Sequence, residues 1–176
     1  MIRKLLFLSL VVASALFFSS PASAEMPKHV RDALNKLVGQ WKVTTTIGED
    51  TSEWELTCHW SPTKDAVVYS WEGPDYITKE PNTGTGFLGW DATKKLAVEF
   101  ETEGNGTVFT ATHYISKDGE WTSPTKATAI TDDGPVYVEV QRTLVFEGDT
   151  QFIIHGKHRI IDGEKEPDEK SVFKKQ

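Results

Sequence analysis

A chain of 176 residues carrying 26 acidic and 19 basic side chains, a net charge of −7, has the length of one ordinary domain and no clustered Lys or Arg. That balance argues against nucleic acid and anionic membrane as partners, because phosphate binding needs concentrated positive charge. A single cysteine, Cys58, excludes an internal disulfide, so a packed core has to carry stability.

In residues 1–24, Arg3 and Lys4 precede an apolar run, Leu5 to Phe18, which ends in Ser19-Ser20-Pro21 and the small-residue pattern Ala22-Ser23-Ala24. This predicts a secretory signal peptide cleaved before Glu25. The run is short for a membrane span of about 20 apolar residues, and no cysteine follows it to take a lipid. The mature protein is therefore expected to be secreted or periplasmic and free of the membrane. Losing Arg3 and Lys4 leaves 17 basic residues against 26 acidic, a net of −9.

Residues 25–38 predict one short amphipathic helix. Val30, Ala33, Leu34, Leu37 and Val38 recur at helical spacing, Pro27 stands near the first turn and Gly39 at the break. From Gly39 onward, residues 39–176, the period changes to two. Trp41, Val43, Thr45 and Ile47 form one inward set, and Trp54, Leu56, Cys58 and Trp60 the next, with His59 outward. A third strand, Ala66 to Trp71, carries apolar side chains on both parities and leaves its inward face open.

A polar connection from Gly73 to Gly84 is expected as the longest loop, followed by a short strand, Phe87 to Asp91. Turn signals at Asn105-Gly106, Asp118-Gly119, Asp132-Asp133-Gly134, Gly148-Asp149 and Asp162-Gly163 divide the remainder. The mixed-charge run Glu164 to Lys170 reads as a solvated turn. About ten strands result, the pattern of an all-β, antiparallel up-and-down barrel of lipocalin-like form, wide enough for a small cavity.

Asn105-Gly106 is the strongest short hairpin signal, and as a two-residue type I′ turn it pairs Gly104 with Thr107. Phe100 then faces Ala111, Val98 faces His113 and Leu96 faces Ile115. With Leu96, Val98 and Phe100 taken as the inward set, His113 points inward too, either as a satisfied core histidine or as a ligand contact. Asn105-Gly106-Thr107 also matches a glycosylation sequon, which the tight turn explains better. Parity along Val136, Val138, Val140, Arg142, Leu144 and Phe146 turns Arg142 inward, either stacked on Trp41 or another Trp near the closed end, or anchoring an acidic head group. A two-residue Gly148-Asp149 turn would set His155 opposite Arg142; one more loop residue would set Gly156 there and turn His155 outward. Tyr69 and Trp71 on the third strand complete the candidate ligand-binding set with His113 and Arg142.

Other chemistries find little support. His155 and His158 stand three apart in a strand and point to opposite faces, and His59 and His113 have opposite parity, so no metal site is expected. No nucleophile elbow is present, and Thr83-Gly84-Thr85-Gly86 precedes a strand where a phosphate loop needs a helix. No cofactor is expected, and Cys58 reads as a small buried hydrophobe.

The helix with Leu37-Val38-Gly39-Gln40-Trp41, and Gly84-Thr85-Gly86-Phe87-Leu88-Gly89-Trp90-Asp91-Ala92-Thr93-Lys94-Lys95, together resemble the bacterial family known as domain of unknown function 1579. The resemblance covers Val30 to Lys175 and implies a lipocalin-like barrel, with no activity or catalytic residues to carry over. The haem barrels of the nitrobindin group are similar in shape, but their opening strand carries further glycines after the Trp, where this chain has Lys42 and Val43.

The leading expectation is an exported, non-enzymatic protein binding a small apolar or amphipathic ligand, with His113 and Arg142 as the polar interior groups. An alternative is an enzyme acting on a small acidic ligand, with His113 as acid or base and Arg142 stabilising an anion. A third is a structural or interaction module with a filled barrel, presenting outward residues such as Tyr114 and Tyr137. Oligomeric state is not expressed in the sequence.

Overall fold

The computed structural model describes residues 25–75, 77–131 and 133–176. The expected signal segment 1–24 lies outside the described residues, as does Asp132 of the expected 132–134 turn. One helix, α1 (Lys28–Leu37), is followed by strands β1 (Gly39–Ile47), β2 (Asp50–Trp60), β3 (Ala66–Pro74), β4 (Pro81–Asp91), β5 (Leu96–Glu103) and β6 (Val108–Ile115). Then come β7 (Trp121–Thr131), β8 (Gly134–Phe146), β9 (Gln151–Ile161), the two-residue β10 (Glu164–Lys165) and β11 (Glu169–Lys175).

Neighbours in sequence pair antiparallel from β1 to β9, and β11 inserts between β9 and β1, so ten strands close into an antiparallel barrel. Closure leaves the ladder without a free edge. β10 is a short flap on β9.

The helix plugs one end. Val30, Leu34 and Leu37 are buried, and Gly39, at φ 143°, breaks the helix and admits the chain to β1. Trp41 donates its indole N–H to the Leu37 carbonyl at 2.7 Å, and Trp60 donates to Asn35 Oδ1 at 2.8 Å, fixing the plug to the wall. Below it a ladder of rings descends the axis. Trp41 meets Phe152 edge-on at 4.7 Å, Phe152 stacks on Phe173 at 4.0 Å, Phe173 meets Trp54 at 5.5 Å, and Trp54 meets Trp71 at 6.0 Å. Aromatic pairs in such geometry add to their area burial.

Four expectations need correction. The connection between β3 and β4 is only residues 75–80, because both strands run on through Gly73 and Gly84, paired with Asn82 and Trp71. Phe87 to Asp91 is thus the second half of an eleven-residue strand. The run Glu164 to Lys170 is no simple solvated turn: Glu169 starts β11 and is buried, with Ser171 beside it.

The β5–β6 register is the largest change. Glu103 N–H donates to the Thr107 carbonyl and Gly106 N–H to the Glu103 carbonyl, so the loop is three residues long, with only Gly106 at positive φ (90°). Thr102 faces Val108, Phe100 faces Thr110, Val98 faces Thr112 and Ala97 faces His113. This is the three-residue hairpin with glycine at the left-handed position, and a slip of one residue exchanges the faces of the strand. Glu99, Glu101 and Glu103 therefore point into the barrel, and Val98 and Phe100 away from it. Phe100 is 40% exposed and pairs on the outer wall with Phe87, 44% exposed.

Candidate functional site

The four sequence-predicted residues all reach the interior. Tyr69 and Trp71 come from β3, His113 from β6 and Arg142 from β8. Their company is different from that expected, because the inner face of β5 is acidic.

Two inward glycines explain how. Gly86 stands between Tyr69 and Glu101 in the ladder, and Gly84 between Trp71 and Glu103. A Cβ at Gly84 would lie 2.1 Å from Trp71 Nε1, and one at Gly86 would lie 2.6 Å from the Tyr69 hydroxyl. Both aromatic side chains thus lie across β4 and reach the carboxylates of β5. Gly156 does the same service on the other side of the barrel: it faces both Arg142 and Glu169, and leaves room for those two to meet at 3.5 Å.

The result is a continuous hydrogen-bonded chain. Trp121 Nε1 lies 2.9 Å from His113 Nδ1, and His113 Nε2 lies 2.9 Å from Glu99 Oε2. The Tyr69 hydroxyl is 2.7 Å from both Glu99 Oε1 and Glu101 Oε2, and Trp71 Nε1 is 2.8 Å from Glu101 Oε1. Donor accounting then places each proton. An indole N–H only donates, so His113 Nδ1 accepts and Nε2 carries its proton toward Glu99. One phenol proton cannot serve two carboxylates at once, so both contacts are hydrogen bonds only when one carboxyl carries a proton.

The surroundings choose Glu101. Burial and the neighbouring Glu99 charge push its carboxyl up, against the hydrogen bonds from Tyr69 and Trp71. Burial works in the same direction on Glu99, but His113, Tyr69 and Arg142 outweigh it and hold Glu99 below the usual range. Glu99 is therefore the carboxyl that stays ionised, receiving from His113 and Tyr69, and Glu101 is the one that takes up a proton more readily and can then donate it to the Tyr69 oxygen. Burial first, then Glu99 and Glu101, keep the Tyr69 phenol far from ionising. The Cys58 thiol, pushed up to about 12 by burial and Glu99, is no nucleophile.

A second chain crosses the barrel. Trp54 Nε1 donates to Thr45 Oγ1 at 2.9 Å, Thr45 and Ser171 hydroxyls meet at 2.8 Å, and Ser171 donates to Glu169 Oε1 at 3.1 Å. Glu169 Oε2 holds Arg142, whose guanidinium lies 5.3 Å over the Phe109 ring. The expected stacking on Trp41 is thus replaced by Phe109 and Glu169, and Trp41 is covered by Lys175 instead. The physical reason is position: Arg142 stands opposite Ser123 and Gly156, whereas Trp41 stands opposite Leu56 and Lys175 on strands across the barrel.

Phe146 pairs with Phe152, and Gly156 stands opposite Arg142, so the longer of the two β8–β9 turns is realised and His155 is on the outer parity. A bulge between Glu139 and Gln141, with His158 at φ 53°, then swings Arg159 inward to donate to the Pro167 carbonyl. Asn105, of the sequon, donates its side-chain amide to Asp75 at 2.8 Å.

These side chains enclose two cavities. The inner one, about 150 Å³, lies under the helix and is walled by Leu56, Val67, Leu88 and Phe152, with Glu99 and His113 at its side. The outer one, about 190 Å³, lies at the opposite end, beneath the 75–80 connection, with Ile47, Phe109, Ala127 and Val138 among its walls and Glu101, Glu103, Asp75 and Glu169 around it. Trp54, Trp71 and Arg142 line both and form the septum. Burial, Glu101 and Asp75 raise the Glu103 carboxyl to about 7. Among the described residues no group of three or more His, Cys, Asp or Glu is placed to hold a metal ion.

Glu99, Glu101, Glu103 and Glu169 were not singled out by pattern. The available signal was Gly84-Thr85-Gly86 opposite Tyr69 and Trp71: alternate glycines in a strand imply that something large crosses it.

No family model and no curated protein matches the chain. Among solved structures it is similar to Rv2717c from M. tuberculosis, with 10% identity and a TM-score of 0.52 over 86% of this chain and 99% of that one. A redesigned β-barrel (17% identity, TM-score 0.44, 82% and 95% covered) and a de novo fluorescence-activating β-barrel (14%, 0.41, 82% and 98%) also match. At such identities the likeness is one of fold: over its described residues this chain is a closed antiparallel β-barrel with one short helix.

Proposed function

We propose that the protein is an exported, non-enzymatic binder of a small amphipathic molecule, of the family that its opening helix and Gly-x-Trp segment resemble. The observation that carries this reading is the outer cavity, where apolar walls from Trp54, Trp71 and Phe109 face a carboxyl-rich rim. Concave, mostly apolar sites with a few placed polar groups are how proteins hold small ligands.

The hydrogen bonding of His113 favours binding over catalysis. Both of its ring nitrogens are engaged, one by Trp121 and one by Glu99, so an acid–base role would require breaking a buried bond. Arg142 is likewise held by Glu169 and Phe109, which disfavours the acidic ligand of the enzyme reading. Two cavities also speak against a filled structural barrel.

The test is native mass spectrometry and solvent extraction of the protein purified from its own host. A stoichiometric small molecule, and a mature chain starting at Glu25, are expected. A barrel that comes out empty and takes up nothing from a host extract would overturn the binding reading, and a chain retaining residues 1–24 would overturn export.

A further inference from the structure

The sign of the ligand's head group follows from the charges around the outer cavity, a step that rests on the binding reading above. Two cations, Lys79 and Arg142, face this cavity. Against them stand Asp75, Glu103 and Glu169, with Glu99 behind the septum, even when Glu101 is counted as protonated.

Most of these carboxylates are already served. Glu169 holds Arg142 and accepts from Ser171. Asp75 accepts the backbone N–H groups of Ile77 and Thr78 and the side-chain amides of Asn82 and Asn105. Glu103 is served differently: its side chain receives one neutral donor, Asn82 Nδ2, at 2.8 Å, and among the described residues it makes no ion pair. It lies at a cavity whose walls include two tryptophans, and aromatic faces attract cations.

We propose that the outer cavity takes a protonated amine, seated against Glu103 with its apolar part on Trp54, Trp71 and Phe109. An ammonium supplies the counter-charge that the wall lacks, and a buried carboxylate gains most from a charged donor. A carboxylate or phosphate head group would instead add to the excess of negative charge.

The experiment compares three probes of one chain length, hexylamine, hexanol and hexanoate, titrated into the full mature protein at pH 8 and followed by tryptophan fluorescence and calorimetry. Hexylamine is expected to bind about tenfold or more tighter than hexanol, the value of one charge-assisted hydrogen bond, with hexanoate weakest. In Glu103→Gln the amine-to-alcohol ratio should fall to about threefold or less. Should that variant not fold, the wild type at pH 5.5 provides the same comparison, because Glu103, facing Glu101 on its own strand, Asp75 on the 75–80 connection and Asn82 on β4, is then protonated and the ratio should shrink likewise. If hexanol or hexanoate binds as tightly as hexylamine, the sign is wrong while binding stands. If none of the three binds, the amine proposal falls, and the binding reading is decided by the host-extract test.

Discussion

Under the helix, Trp41, Phe152 and Phe173 meet with centroids 4.0 to 4.7 Å apart, and the one polar atom of Trp41 is satisfied by the Leu37 carbonyl. At the other end the same barrel places Asp75, Glu101, Glu103 and Glu169 around a cavity of about 190 Å³. The first arrangement is what apolar burial favours; the second works against it, since buried carboxylates raise one another's protonation and cost free energy unless paired. A single barrel can carry both because the septum of Trp54, Trp71 and Arg142 separates them. The plug supplies stability, and the mouth spends some of it on a surface ready for a ligand.

Substitutions at the two ends should therefore behave differently. Trp41→Ala removes the largest fully buried side chain and should cost about 3–5 kcal/mol in urea unfolding. A loss under about 1 kcal/mol would mean that the plug is not the stabilising end. Glu99→Gln comes next, at about 2 kcal/mol, because an amide has one acceptor side while both His113 and Tyr69 donate to Glu99.

Acidity should divide the carboxyl groups as well. Glu103 has its folded value raised to about 7 from the ordinary 4.5, so its contribution to stability is fully present below pH 4.5 and is lost as pH rises through 7. Glu99, held low, contributes in the opposite sense: its stabilisation is present above the ordinary carboxyl range and is lost on acidification. Glu103→Gln should abolish the decline in urea midpoint between pH 5 and 8 while leaving the acid limb in place. An unchanged alkaline decline would mean that another group is responsible.

The smallest effect is expected at Glu101. A glutamine there accepts from Trp71 and donates to the Tyr69 oxygen, the pattern of a protonated carboxyl, so Glu101→Gln should change stability by less than about 1 kcal/mol. A cost equal to that of Glu99→Gln would place the shared proton on Glu99 instead. Infrared absorption of a protonated carboxyl near neutral pH, read in Glu103→Gln so that the Glu103 carboxyl does not contribute and lost when Glu101→Gln is added, reads the same proton directly.

Much of the barrel was legible because parity and burial agree along β1, β2 and β8: Trp41, Val43, Cys58, Val138 and Val140 are inward and buried, and Arg142 follows their parity. β5 was misread because its apolar parity is the outer one. Leu96, Val98 and Phe100 look like a core face, and Asn105-Gly106 looks like a two-residue turn; each reading displaced the strand, and the two displacements cancelled at His113, which is 8% exposed as an inward residue should be. Alternation tells which residues share a face, whereas which face is inside depends on what stands across the barrel. Tyr69, Trp71, His113 and Arg142 make an acidic interior face tolerable, and those partners are distant in sequence.

β11 lies between β1 and β9, the earliest and nearly the latest strands of the wall to be synthesised. Without Glu169 to Lys175 the facing borders of β1 and β9 have no common partner. The same seven residues bring the anion for Arg142 and the Phe173 ring, so docking of this one seam completes the backbone ladder, the ring stack and the charge balance of the cavity together. A molecule in which this seam is undocked would expose borders able to pair with another copy.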